Sequence, residues 1–394
     1  ATNIRQITNQ DGLSNSAILS MLQDKNGEMW FGSCDGLNIF DGVKINVYKN
    51  FLEKNNILSG NLIEKIIETS DDVYWIHTNY GLDRLDIKRN KIESYTQFSG
   101  AYFLVKSNED NIFILRNDNV IHYYNKETNS FDNIKIDKLL FSDIINTTID
   151  SNNYLWIFTK NKQTRKFAIT ESTNGRLILK EESVAIHDKY MITCQIEEDD
   201  IYFVDDNYIL YQYNLVDGKK QYLFEIKETM EKFGSISSII KHNNNYFIGF
   251  ATGGLVCLRN TPEIKDNYQI ELIDIRSGIF CMQKDRQQDI VWIGTDGQGV
   301  FMYSEDPYTI RSVQFTDFTY QIRKPIRSIL LDKANNLWIG TKGDGILRIK
   351  DYQANCDFSK NKIDYLNTAN GQFINNSVYA FAESDKNILW IGSD

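Results

Sequence analysis

The chain has 394 residues, with 43 Lys and Arg against 53 Asp and Glu, and a formal net charge of −10. With no basic run, that balance argues against nucleic-acid binding and against an anionic membrane surface. No apolar stretch approaches the roughly 20 residues of a spanning helix.

From the N-terminus, Ile4-Arg-Gln-Ile-Thr8 reads as an outer strand that lacks three partners of its own. Ala17 to Gln23 is an apolar run, Asp24-Lys-Asn-Gly27 a turn, and Glu28 to Ser33 a second run. Leu37 to Phe40 and Lys44 to Tyr48 follow, separated by Asp-Gly turns, a strong hairpin signal. These four short strands recur around Trp292 as Ile279 to Lys284, Val291 to Thr295, Val300 to Tyr303 and Ile310 to Phe315. The best helical candidate is Glu225 to Phe233, placed between repeats. Ile236 to Ile240 and Ile326 to Leu331 are the most apolar runs and are expected to be innermost strands. Pro262, Pro307 and Pro325 fall between predicted strands, where a missing N–H costs no ladder bond.

All six tryptophans hold one place in a recurring phrase: aromatic, Ile or Phe, Gly, small residue, turn. It stands at Trp30-Phe-Gly-Ser33, Trp292-Ile-Gly-Thr295, Trp338-Ile-Gly-Thr341 and Trp390-Ile-Gly-Ser393, and more loosely at Trp75 and Trp156. Phe113, Tyr202 and Phe247 anchor the remaining copies. Successive anchors lie 38 to 52 residues apart, most of them 45 or 46. Four antiparallel strands at that period are a propeller blade. The expected fold is therefore all-β: a seven-bladed β-propeller of four-stranded antiparallel blades, plus the start of a second propeller. Residues 1–306 would form the first ring, with residues 1–8 closing it, and residues 307–394 the first blades of a truncated second. The anchor ring is expected to fill the wedge between blades, and the glycine two positions on to let the chain approach that ring.

Chemistry is sparse. The histidines (77, 122, 187 and 242) and cysteines (34, 194, 257, 281 and 356) show no metal-ligand spacing and no C-x-x-C. Cys194, Cys257 and Cys281 read as small buried hydrophobes. Asp24-Lys-Asn-Gly27 resembles the start of a calcium loop, but its twelfth position is Asp35, not Glu. Its recurrence at Asp332 and Asp385 marks a hairpin. Asp71-Asp72, Asp199-Asp200 and Asp205-Asp206 read as turn or loop acids. No catalytic residue, metal or cofactor is expected.

The motifs carry a family likeness. Asp11-Gly-Leu-Ser14, Ile18-Leu-Ser-Met-Leu-Gln-Asp24, Gly27-Glu-Met-Trp-Phe-Gly-Ser33 and Asp35-Gly-Leu-Asn-Ile-Phe-Asp-Gly42 together resemble the two-component regulator propeller repeat. Ile290 to Val300 and Ile329 to Ile346 are similar to it. The opening block resembles the start of the periplasmic sensor region of hybrid two-component systems in gut Bacteroides. The resemblance implies two seven-bladed propellers, an immunoglobulin-like domain, a membrane helix, a histidine kinase, a receiver and a DNA-binding output. It implies a periplasmic place within an inner-membrane protein, glycan fragments as ligands, and a homodimer in the full-length protein. Ligand contacts are not part of the repeat, so no family residue carries over.

Blade geometry puts the loops between second and third strands on one face. Asp35, Asn79, Tyr80, Asp205, Asn207, Asp296, Gln298, Lys342 and Asp344 lie in them. Paired donors and acceptors with an aromatic face suit sugar hydroxyls, although Asp and Asn are also what tight turns require. The expected function is extracytoplasmic sensing of an oligosaccharide. A propeller-type polysaccharide lyase or glycoside hydrolase, and a protein-binding scaffold, stay open beside it.

Overall fold

The computed structural model describes residues 3–49, 57–160, 163–184, 186, 190–261, 268–305, 322–353, 362–371 and 373–394. Pro262, Pro307, His187, Cys356 and the strand expected over Ile310 to Phe315 lie outside them. The chain divides into two compact units, Ala1–Pro307 and Tyr308–Asp394. The fold is all-β. Among the described residues, helix is confined to Lys227–Phe233 and a few 3₁₀ turns.

Among the described residues the first unit holds seven four-stranded antiparallel sheets, numbered here as blades 1 to 7. Their first strands are Ile18–Gln23, Ile63–Glu68, Phe103–Lys106, Ile144–Ile149, Met191–Glu197, Ile236–His242 and Ile279–Lys284. Each adjoins the first strand of the next blade, and that of blade 7 adjoins that of blade 1. Blades 1 to 6 are simple meanders. Blade 7 has only three consecutive strands, and Asn3–Ile7 supplies its outer one, pairing with Val300–Ser304 from Asn3↔Ser304 to Ile7↔Val300. The strand without partners at the N-terminus thus closes the ring and leaves blade 7 no missing edge.

The repeated phrase forms the second strand of each blade and is its most buried part. Every residue of Met29–Ser33, Val73–Thr78, Asn245–Phe250 and Val291–Thr295 is buried. This corrects the expectation that the first strand would be the most apolar. First strands carry Glu64, Lys65, Asn146, Gln195 and Lys241, and Lys65, Asn146 and Gln195 find carbonyl partners on the neighbouring blade.

The tryptophans do fill the wedges. Trp30 stacks on Tyr74 of blade 2, with ring centroids 4.0 Å apart, and Trp75 meets Tyr124 of blade 3 edge-on at 4.8 Å. Trp292 of blade 7 lies 5.9 Å from Phe31 of blade 1. The glycine of the phrase has a different task from the expected one. A Cβ on Gly32 would run into Ser20 Oγ and meet Ile63 Cγ2 at 2.7 Å, and one on Gly294 would meet Cys281 Sγ at 2.5 Å and Ile18 Cγ2 at 2.9 Å. The glycine makes room for a first-strand side chain of its own blade and for the first isoleucine of the next, not for its own ring.

Six of the seven first strands slip register after their first residue, as at Ile18/Ser20 and Ile63/Lys65. Such a bulge re-aims side chains. Six junctions between blades accordingly carry a side chain donating to a carbonyl of the next first strand. Ser20 Oγ donates to Ile63 O at 3.0 Å, Asn146 Nδ2 to Cys194 O at 2.9 Å and Gln195 Nε2 to Ile236 O at 3.3 Å. Lys65 Nζ donates to Leu104 O and Ser237 Oγ to Ile279 O. Cys281 Sγ completes the belt, 3.6 Å from Ile18 O. Cys281 is therefore a partly buried donor, while Cys194 and Cys257 are buried.

In the second unit, Ile326–Leu331, Leu337–Thr341, Ile346–Ile349 and Ile363–Leu366 form a four-stranded sheet, and Val378–Glu383 pairs with Leu389–Ser393. Trp338 packs toward Phe381 with centroids 6.3 Å apart. Trp390 departs from the core role given to the other tryptophans. It is 66 % exposed, as are Ile329 at 63 % and Leu331 at 50 %, because among the described residues no further sheet covers these faces.

Candidate functional site

The first strand of each blade ends at the hairpin leading to the second strand, and the second returns to the loop leading to the third. The two sets of connections therefore lie on opposite faces of the ring. The hairpin face is built on a recurring aspartate. Asp24, only 2 % exposed, accepts from the backbone N–H groups of Asn26 and Glu28 at 2.9 Å and from Trp30 Nε1 at 2.9 Å. Trp156 donates likewise to Asp150 at 2.8 Å, Trp292 to Asp285 at 3.0 Å and Trp338 to Asp332 at 2.9 Å. The turn is thus a tryptophan clamp. Among the described residues, no group of three or more His, Cys, Asp or Glu could hold a metal ion.

Of the nine loop residues singled out, seven lie in the first unit. Asp35 pairs with Lys49 Nζ at 2.5 Å. Asn79 donates its N–H to Leu62 O at 3.1 Å and accepts at its own carbonyl from Gly100 N at 3.0 Å. Asp205 ends its strand and closes its own turn, accepting from Asn207 N at 3.0 Å and Ile209 N at 2.9 Å. Asp200 likewise belongs to that strand, which corrects the loop expectation for both acids. Asp296 is bridged to Ala17 and lies near the Cys34 thiol, whose pKa is raised by burial and by the charges of Asp296 and Glu64. Gln298 offers its carbonyl to Gln6 Nε2 at 2.9 Å. Tyr80, 64 % exposed, Asn207 and Asp296 present their side chains to water. Across the junction of blades 7 and 1, Asp296 comes near Cys34, the chain neighbour of Asp35. In the second unit Lys342 is exposed, whereas Asp344 accepts from Arg323 N at 2.7 Å and Lys324 N at 2.8 Å.

Three concavities open elsewhere. One of about 450 Å³ lies between blades 7 and 1, with Arg5, Gln6, Asp41 and Gln288 around Trp292 and Phe40. Two more lie at the hairpin end of the axial channel. The first, about 440 Å³, is lined by Lys65, Glu68, Lys106, Thr148, Gln283 and Arg286 among others. The second, about 460 Å³, adjoins it through Gln283 and Arg286 and includes Glu197, His242 and Lys284. There Lys284 Nζ sits 2.6 Å from Glu197 Oε1, and Lys241 N donates to Glu197 Oε2 at 2.8 Å. His242 Nε2 is 2.6 Å from Asp289. Lys65 reaches water through the channel, yet the surrounding wall pulls its ammonium pKa down to about 8. None of the nine loop residues lines these three cavities. The axial cations escaped the sequence reading. Their signal was a charge pair inside an otherwise apolar first strand, Ile63-Glu-Lys-Ile-Ile-Glu68.

The chain is similar over two short spans to a known repeat family and in fold to solved extracellular domains. The family model described as "Two component regulator propeller" matches residues 12–35 and 321–343. Over 55 residues, 14 % of this chain and 4 % of the relative, the chain is 42 % identical to Histidine kinase P4 of Formosa agariphila. The extracellular domain of BT3049 from B. thetaiotaomicron, assigned to a hybrid two-component system, matches 99 % of this chain with a TM-score of 0.56 and 19 % identity. Two structures of the extracellular domain of BT4673 from the same organism, assigned in one to a one-component and in the other to a hybrid two-component system, match with TM-scores of 0.54 at 17 % and 18 % identity. The chain spans about half the length of these solved structures, 52 % of the first and 51 % of the others.

Proposed function

We propose that this chain, which carries two-component regulator propeller repeats, is the extracytoplasmic sensing region of a two-component system. In this reading it binds an oligosaccharide without turning it over and passes the bound state to a histidine kinase of the full-length protein. The observation that carries the reading is the coincidence of those repeats with a fold shared by extracellular domains assigned to such systems. A sensor signals only if its ligand binds one arrangement better than another, and a homodimer in the full-length protein supplies two such arrangements. The seven sheets of residues 1–306 act as one ring, and residues 307–394 begin a further propeller. The apolar faces of Ile329, Leu331 and Trp390 support that last point, since solvent is a poor resting place for them.

The loop face offers the saccharide an exposed aromatic ring at Tyr80 and polar side chains at Asn207 and Asp296. The test is a glycan-array screen of the purified chain followed by calorimetry on any hit. One defined oligosaccharide is expected to bind with no product released. Tyr80→Ala is expected to weaken it about two- to twelvefold, the range of an aromatic contact worth ~0.5–1.5 kcal/mol. If Gln288→Ala in the cavity beside Trp292 abolished binding while Tyr80→Ala did not, the saccharide site would move there. Released product would make the protein an enzyme and overturn the sensor reading.

A further inference from the structure

We propose that the hairpin end of the axial channel is a second binding site, for a small oxyanion: the carboxylate, sulfate or phosphate of a molecule about one sugar ring in size. The charge distribution carries the inference. The chain as a whole is acidic, at −10. Yet three cations, Lys65, Lys106 and Arg286, converge from blades 2, 3 and 7 on one cavity of about 440 Å³, whose lining includes a single carboxylate, Glu68. That volume falls within the range of small-molecule sites, ~300–1,000 Å³.

Glu68 does not neutralise the three. Its Oε2 is taken up in the wall by the Tyr74 hydroxyl at 2.6 Å and by Lys25 N at 3.0 Å. Lys65 Nζ donates to a neutral carbonyl, Leu104 O, and Arg286 Nη2 to another, Asp24 O. Lys106 stands 3.4 Å from Asp110 at the rim, but Asp110 is itself shared with Ser70 N at 3.1 Å and with the Ser70 hydroxyl. Each ammonium has three donors and the guanidinium five, so most of this donor capacity is not taken up by these protein partners. The channel wall desolvates the Lys65 ammonium and lowers its pKa to about 8 although the side chain still reaches water, and an anion in the cavity would favour its charged form. Thr148 and Gln283 supply neutral donors and acceptors beside the cations, which suits the uncharged part of an organic anion.

The site lies on the face opposite Tyr80 and does not rest on the oligosaccharide reading. Calorimetry at low salt with galacturonate, glucose 6-sulfate, glucose 6-phosphate, neutral glucose and inorganic sulfate tests it. At least one of the three anionic sugars is expected to bind, at least tenfold more tightly than glucose and than sulfate, and more weakly as salt rises. Lys65→Gln is the informative variant. A Gln amide makes the same belt bond from Gln195, so the ring is kept while the charge goes. Lys65→Gln and Lys106→Gln are each expected to weaken binding at least fivefold with unchanged melting temperature, whereas Tyr80→Ala leaves it unaltered. Equal binding of glucose, binding untouched by both Gln variants, or binding by inorganic sulfate as tight as by the sugars (an adventitious ion only) would each overturn the proposal. So would the absence of any heat of binding.

Discussion

Asp24 illustrates how much one residue of the repeat does. Its carboxylate holds two backbone donors of its hairpin and the indole N–H of Trp30. Asp24→Ala would leave all three donors short of a partner in a nearly water-free place. A loss of about 2–4 kcal/mol in unfolding free energy is expected, measured by denaturant titration. Blade 2 shows that the clamp is optional, because Thr69 stands where the aspartate would be and its hydroxyl serves the turn alone, donating to Val73 O at 2.8 Å. His77 sits in that blade, 5 % exposed, stacked on Tyr102 and donating from Nε2 to Gly100 O at 2.9 Å. Burial, with Lys65 beside it, lowers its pKa from 6.5 to about 4. Between those values the unfolded chain binds a proton that the folded one does not, so this group makes stability fall as pH drops from 6.5 toward 4. His77→Gln is expected to remove roughly 2 kcal/mol of that acid sensitivity, read as a smaller difference between melts at pH 7 and pH 5.

Among the elements, the strand Asn3–Ile7 has the greatest consequence for its size. Five residues pair with Val300–Ser304 and complete blade 7 from the far end of the chain. Ile7 also joins a core cluster with Leu13, Ile18 and Trp292. Deleting residues 1–8 would expose the edge of Val300–Ser304 and uncover that cluster. A clear fall in melting temperature, together with self-association in light scattering, is the expected outcome. The strand was legible in the sequence because it lacked partners of its own. The belt across the first strands was not. Its donors are Ser, Lys, Asn, Gln and Cys, which share no residue type and meet only because a bulge at the same point turns each toward the neighbouring blade.

At the scale of the whole molecule, two faces divide the chemistry of the first unit. The loop face carries the acids and amides that sequence reasoning favoured, and several of them are already spent. Asp205 closes its own turn and Asp35 holds Lys49, as Asp344 of the second unit holds the chain at Arg323 and Lys324. The hairpin face carries the axial cavities, lined by residues more than 200 positions apart, such as Lys65 and Arg286.

Period, turn chemistry and the tryptophan phrase determined the all-β class and the blade unit by themselves, because they are local patterns repeated often enough to survive drift. The closing strand was also within reach, since only one arrangement leaves no edge open. Which strand is driest, what the phrase glycine makes room for, and where cations gather were decided only in three dimensions. Each depends on what the neighbouring blade places opposite, and a repeat read alone does not contain its neighbour.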